Sequence, residues 1–293
     1  MKRDITAFEL GASLYLPATH KNLFSVAVEG KYPQARSIII DFEDAIFDEE
    51  MEDAELNLIW ALKHLEAQAL LIFIRPRSIE HLKVLLALED IDKVDGFVLA
   101  KCDSNNMQEY FSILEKRAFW VMPVLESKEV FDPLKLAIIK EFFVKRQKDI
   151  LTLRFGGEDL SSHLGLKRQC DDILYDFYPI VQLLSNIVLS FKSEGFNITA
   201  PVFACFKNKK GFTKELTEDL KMGLFGKTVI HPSQITLAHK LYAVTADELK
   251  QAQKVLDGNA CAIMESDGLM LETIPHRRWA KGIKIRERLY GLI

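Results

Sequence analysis

Eight short apolar runs punctuate the chain, and most of them break off at a charged residue or a proline. Residues 14–16 stop at Pro17, 37–40 at Asp41, 70–74 at Arg75, and 96–99 close to Lys101. Residues 119–125 stop at Glu126, 150–155 at Gly156 and Gly157, 197–199 before Pro201, and 227–230 before His231. The runs are continuous rather than alternating, which fits parallel strands buried on both faces. Stretches between them, among them 52–65, 78–88 and 172–191, carry apolar residues at helical spacing,. In the first of these, Leu56, Ile59 and Trp60 read as the buried stripe. Strand followed by helix, eight times over, predicts an α/β fold of the closed (β/α)8 TIM-barrel kind. The alternative is an open doubly wound sheet, which usually shows a glycine-rich turn after its first strand. Residues 16–20, Leu-Pro-Ala-Thr-His, contain no glycine. A length of 293 residues holds a barrel and an extension. The expected division is a barrel over 1–244 and a helical extension over 245–293, two helices around an irregular segment at 257–275.

The partners are bounded by charge and hydropathy. The formal net charge is -4 and the lysines and arginines are scattered, so nucleic acid is not an expected partner,. No run approaches the ~18 apolar residues of a membrane span. The first sixteen residues carry acids where a signal sequence would be apolar, so a cytoplasmic location is expected,. Cys102, Cys170, Cys205 and Cys261 form no C-x-x-C pair, and all four read as thiols in a reducing compartment,.

The carboxyl ends of the strands carry the chemistry in a TIM barrel. Asp41, Glu43, Asp44, Arg75, Lys101, Glu126 and Asp159 all fall there. Glu126 and Asp159 follow the fifth and sixth strands, which would be neighbours about 4.8 Å apart. Two carboxylates so close repel each other unless a proton or a hard cation intervenes, and Mg2+ takes one or two carboxylates plus water and substrate oxygens. The bland alternative pairs Glu126 with a lysine and makes Asp159 a helix cap. Gly157, with Gly156, would let substrate approach the backbone. Asp41, Glu43 and Asp44 crowd three acids into four positions, and Arg75 would clamp a carboxylate, pair with Asp41 or Glu43, or do both. His231, at the end of the last strand, would act as an acid or base, or order its loop.

Taken in order, LYLPA, IIIDFEDAI, the arginine after the third strand, VLAK, PVLES, FGGEDL, GKTVIHPSQI and ESDGLMLE resemble the HpcH/HpaI aldolase and citrate lyase beta-subunit (CitE-like) family. The resemblance runs from about Ser13 to Glu272 and is most specific in IDFEDA, GGEDL and GKTVIHPSQ. It implies a TIM barrel, an Mg2+ ion (Mn2+ as substitute), and aldol-type cleavage or condensation of small oxo or hydroxy acids, often as CoA thioesters. By matched motif it makes Glu126 and Asp159 the metal ligands and Arg75 the substrate-binding arginine. Asp41, Glu43 and Asp44 become supports around that site, and His231 is placed with them by its position at the end of the last strand. It also implies a homo-oligomer, a trimer or hexamer, with the tail on a neighbouring subunit.

The chain departs from the family pattern at three places. Leu10-Gly11-Ala12-Ser13 replaces an Arg-Arg-Ser segment, so no dependence on CoA is expected. Arg75-Pro76-Arg77 replaces an arginine followed by asparagine, which offers Arg77 to a more anionic substrate. Glu272 stands near an aspartate that serves CoA-type relatives as acid/base. The expected catalytic set is Arg75, Glu272 and Asp44, and the expected substrate contacts are Arg75, Arg77, Lys101 and Gly157. Two other readings compete. One is a thioesterase, or a lyase on a phosphate-containing substrate, using the same metal site. The other is a non-catalytic assembly component that kept the barrel.

Overall fold

The computed structural model describes residues 2–115 and 117–293. Eight parallel strands appear where the apolar runs stand. They are β1 (Ala12–Pro17), β2 (Ser37–Asp41), β3 (Leu71–Arg75), β4 (Gly96–Leu99), β5 (Trp120–Leu125), β6 (Leu153–Phe155), β7 (Ile198–Thr199) and β8 (Lys227–Val229). Each pairs in parallel with its neighbour in sequence, and β8 pairs with β1. The circle closes between β7 and β8 through an isolated bridge, Ala200 to Lys227. The barrel reading therefore holds.

The register explains where the side chains go. Tyr15, Ile39 and Phe73 stand side by side on β1, β2 and β3, and two residues further on stand Pro17, Asp41 and Arg75. Residues two apart share a face of a strand. Ile39 and Phe73 join Leu71, Val98, Met122 and Val124 in an apolar cluster against which Tyr15 packs. The polar Asp41 and Arg75 thus cap an apolar barrel interior at its carboxyl end.

Three expectations about the frame are corrected. The helix at Met51–His64 buries Ala54, Leu58, Ala61 and Leu62. Leu56, Ile59 and Trp60 lie on its exposed side, where Trp60 packs on His64 with ring centres 4.2 Å apart. The buried stripe contains two alanines, so the larger side chains pointed to the wrong face. Cys170 and Cys205 form a disulfide and are not free thiols. They follow β6 and β7, adjacent strands whose loops the barrel brings together, with Cα atoms 5.2 Å apart. Cys102 is a buried free thiol and Cys261 an exposed one.

The chain divides into a compact unit running to Ile235 and a second over Thr236–Ile293. The third correction lies in the second unit, where the segment expected to be irregular holds an antiparallel hairpin, β9 (Ile263–Ser266) and β10 (Leu269–Glu272). Its two-residue turn is Asp267-Gly268, both at positive φ (55° and 81°), as a type I′ hairpin requires,. Helices Ala246–Leu256 and Arg277–Tyr290 supply most of that unit's core, Ala252, Val255, Ala280 and Ile283, with Leu271 of β10 and Val244. Among the described residues no helix is long and apolar enough to cross a membrane.

Candidate active site

A cavity of about 440 Å³ opens at the carboxyl ends of the barrel strands. Asp41, Asp44, Arg75, Glu126, Gly157 and Asp159 line it, so the barrel gathers six of the residues singled out by sequence.

Glu126 follows β5 and is 2% exposed. Its Oε1 accepts the backbone N–H of Lys101 at 2.7 Å. Lys101 has a positive φ of 49°, an uncommon conformation for a side-chain-bearing residue,. Asn106 Nδ2 donates to the Lys101 carbonyl at 2.9 Å and helps to fix that turn. Oε2 of Glu126 lies against Gly156, where a Cβ would come within 2.2 Å of it. Gly156 is therefore needed to seat Glu126. Gly157 is closely packed too: a Cβ there would stand 3.0 Å from Pro201 Cβ. Burial first, and then repulsion from Asp159, push the Glu126 carboxyl up to about 8.

Asp159 sits in the first turn of the helix Gly157–His163, whose N-cap is Gly156 without a side-chain cap bond. Its carboxylate makes no hydrogen bond or ion pair within the described residues, so the capping alternative fails. The lysine-pairing alternative for Glu126 fails as well, since Lys101 meets it through the backbone. A deeply buried carboxylate and a partnerless one thus repel each other across one cavity, and a hard divalent cation relieves that conflict. The donor set fits such an ion. Among the described residues there is no cluster of three or more Asp, Glu, His or Cys side chains able to hold a metal. Two carboxylates plus water and substrate oxygens remain a set that Mg2+ accepts.

Arg75 ends β3 and forks onto Asp41, Nε to Oδ1 at 2.6 Å and Nη2 to Oδ2 at 2.7 Å. Its Nη1 lies 2.8 Å from Glu43 Oε2, within ion-pair distance but without hydrogen-bond geometry. The guanidinium also stands 5.2 Å from the centre of the Tyr15 ring. Arg75 is thus a structural ion pair and a wall of the cavity at once. Glu43 is buried under Arg75 and Lys101, whose Nζ is 2.6 Å from its Oε1. Burial outweighs both cations and holds the Glu43 carboxyl above its usual range. Asp44 is exposed on the rim, 3.3 Å from Lys101 Nζ.

Arg77, Lys101 and His231 do not line the cavity. Arg77 was expected beside Arg75, but it turns away to the loop after β2, bonding the carbonyls of Phe42 and Ile46 and the Asp48 carboxylate. Lys101 is tied to Glu43 and Asp44, so its role here is to hold Glu126 and the acids of β2 in place. His231 stacks on Phe206 with ring centres 4.7 Å apart and binds Ser233 Oγ through Nδ1 at 2.8 Å, which is the loop-ordering alternative. Glu272 belongs to β10 in the second unit, where its N–H donates to His276 Nδ1. The argument against CoA also changes. Leu10, Ala12 and Ser13 are buried at the amino end of β1, so arginines there would not stand at the cavity rim. Lys21 and Lys31, in the segment after β1, are exposed.

Sequence reasoning missed Tyr15, Arg154 and Thr228, which also line the cavity. The signal for Arg154 was present, since an arginine interrupts the apolar run of the sixth strand.

The barrel and its cavity place this chain among TIM-barrel proteins that work at the carboxyl ends of their strands. More narrowly, it belongs to the C-C bond lyase family of the TIM-barrel fold, whose model matches residues 4–292, and it is a carbon–carbon lyase of the citrate lyase beta-subunit kind. It is 24% identical over 243 residues to citrate lyase subunit beta of Haemophilus influenzae, covering 80% of this chain and 81% of that protein. A 104-residue stretch is 30% identical to the mitochondrial citramalyl-CoA lyase of Rattus norvegicus, covering 35% of this chain and 29% of that one. A crystal structure of CitE from Mycobacterium tuberculosis, in complex with magnesium, acetoacetate and coenzyme A, superposes with a TM-score of 0.69. That match has 20% identity and covers 94% of this chain and 97% of the other.

Proposed function

We propose that this lyase depends on a divalent cation, Mg2+ or Mn2+, held by Glu126 and Asp159, and acts on a small oxo- or hydroxy-carboxylic acid or its thioester. The observation that carries the reading is the pairing of a 2%-exposed Glu126 with a partnerless Asp159 on one cavity. A relative in which magnesium and acetoacetate are bound together supports it. When bound, the cation supplies Lewis-acid stabilisation for the negative charge that develops as a carbon–carbon bond breaks.

The chain's own residues do the rest. Lys101 N–H and the flat face of Gly156 hold Glu126 in one orientation, so the ligand oxygen is placed before substrate arrives,. Asp41 occupies one edge of Arg75, Nε and Nη2, and Glu43 lies at Nη1. Arg75 lines the cavity, and its remaining N–H groups bind the carboxylate at the oxo- or hydroxy-acid end of the substrate,. Asp44, the exposed carboxylate of the rim, takes the proton of the substrate hydroxyl as the carbon–carbon bond breaks and returns a proton to the carbon of the departing enolate,. Glu272 is a second candidate for that role, separable from Asp44 by comparing the kcat of Asp44→Asn and Glu272→Gln.

The test is calorimetric titration with Mg2+ beside turnover of candidate oxo acids and their CoA thioesters. Glu126→Gln and Asp159→Asn each abolish metal binding and lower kcat by about two orders of magnitude or more. Wild-type Mg2+ affinity in either variant rejects the ligand assignment.

A further inference from the structure

Most charges around the cavity are accounted for in pairs. Asp41 and Glu43 face Arg75, and Glu158 pairs with Arg168. Arg154 stands outside this scheme. It is 2% exposed and lies on β6, in register with Val124 and Thr199 on the neighbouring strands. Its Nη2 donates to Thr228 Oγ1 at 2.6 Å, and Nη1 is 3.9 Å from Met122 Sδ. The guanidinium stands 5.3 Å from the centre of the Tyr15 ring, which it shares with Arg75. Among the described residues, no carboxylate forms an ion pair with it. A TIM-barrel interior at this depth is normally filled by branched apolar side chains. A buried cation without a counter-ion is strongly unfavourable, and a hydroxyl, a thioether and an aromatic face offset only part of that.

We infer that Arg154 is the anion receptor of the cavity floor. It takes a second carboxylate of the substrate, while the oxo- or hydroxy-acid end lies at Glu126 and Asp159. This rests on the lyase reading above and narrows its substrate class to compact dicarboxylic 2-oxo or 2-hydroxy acids. A carboxylate fits better than a phosphate. One guanidinium, with Nη2 engaged by Thr228, matches one negative charge and one planar pair of oxygens,. A phosphate dianion would call for further cations, and Arg75, the other arginine of the wall, shares its charge with Asp41 and Glu43 and serves the acid end of the substrate.

The experiment compares (S)-lactate with (S)-malate by calorimetry on the full chain with Mg2+ present. The two acids share a 2-hydroxycarboxylate end and differ by one carboxylate. Wild-type protein binds malate about tenfold to a hundredfold tighter than lactate, the effect of one charge-assisted contact. Arg154→Met brings the two within about threefold by weakening malate alone, and Arg154→Lys, which keeps the charge without the fork, falls between. Arg154→Met also melts no lower than the wild type without acid, because no ion pair is broken. A wild-type malate preference in Arg154→Met overturns this inference and leaves the lyase reading standing. A melting point lowered by more than about 5 °C marks Arg154 as a structural strut and overturns it too. Failure of both acids to bind a wild type that binds Mg2+ overturns this inference alone, and failure of Mg2+ itself to bind overturns the metal-dependent reading on which it rests.

Discussion

At Glu126 burial and the Asp159 charge act in the same direction, and both oppose ionisation. A metal ligand must be ionised, so binding has to displace a proton wherever the free carboxyl holds one. With that carboxyl pushed up to about 8, Mg2+ affinity rises about tenfold per pH unit from pH 6 towards 8 and then levels off,. Calorimetry in buffers of different ionisation enthalpy checks this by counting about one proton released per ion at pH 6.5. A flat affinity from pH 6 to 8 would contradict it. Glu126 was legible in the sequence because it closes an apolar strand, where an acid is unfavourable without a reason, and Asp159 because it follows the glycine pair that ends the next strand's run. The roles of Lys101 and Arg77 were not. Lys101 acts through a backbone N–H aimed by a positive φ, and Arg77 is drawn away by two carbonyls and Asp48. Neither choice leaves a mark on residue type.

Elements were legible as far as periodicity carries. The strands of the barrel are buried on both faces, so their apolar runs locate them without any need to choose a face. A helix requires that choice, and in Met51–His64 the small buried side chains Ala54 and Ala61 concealed it. Ionic contacts between elements were out of reach. Lys227 of β8 is fully buried and reaches the helix Lys209–Lys221, with Nζ 2.7 Å from both Glu215 and Asp219. Glu215 also takes Arg168 at 2.9 Å and the Leu174 N–H at 2.7 Å. One network therefore ties the segment after β6, which the Cys170–Cys205 disulfide also staples, to β8. Removing the lysine leaves buried Asp219 with the Tyr175 hydroxyl but no cation, while Glu215 keeps Arg168, so Lys227→Met lowers unfolding free energy by about 3–5 kcal/mol,. Urea unfolding measures it. A loss below about 1 kcal/mol would show that water or side-chain rearrangement satisfies the acids.

The whole molecule carries apolar surface that the single chain leaves uncovered. Tyr178, Leu189, Leu134 and Ile138 are exposed on the helices Pro133–Lys145 and Tyr178–Lys192, which flank a groove lined in part by Leu136, Pro179 and Leu183. In the second unit the hairpin leaves Ile263, Leu269 and Met270 exposed, with Ile274 just beyond it. A two-stranded hairpin is marginal by itself and needs a surface to pack on. Contiguous apolar patches on a soluble protein mark contact sites more often than bare surface. Closed point-group symmetry is the usual way for identical chains to cover them. The chain is therefore expected to assemble with itself, as a trimer or hexamer, with the segment from Thr236 onward contributing to the contact. Light scattering at micromolar concentration reads the mass directly, and three or six times 33.5 kDa is the expected result. Met270→Glu with Ile274→Glu places two charges per chain in the apolar face, and the assembly should dissociate while the far-ultraviolet circular dichroism stays unchanged. A wild-type protein that remains at 33.5 kDa rules out self-assembly. An assembly unaffected by the double variant moves the contact to the helices Pro133–Lys145 and Tyr178–Lys192, where Leu134→Glu then becomes the disrupting change.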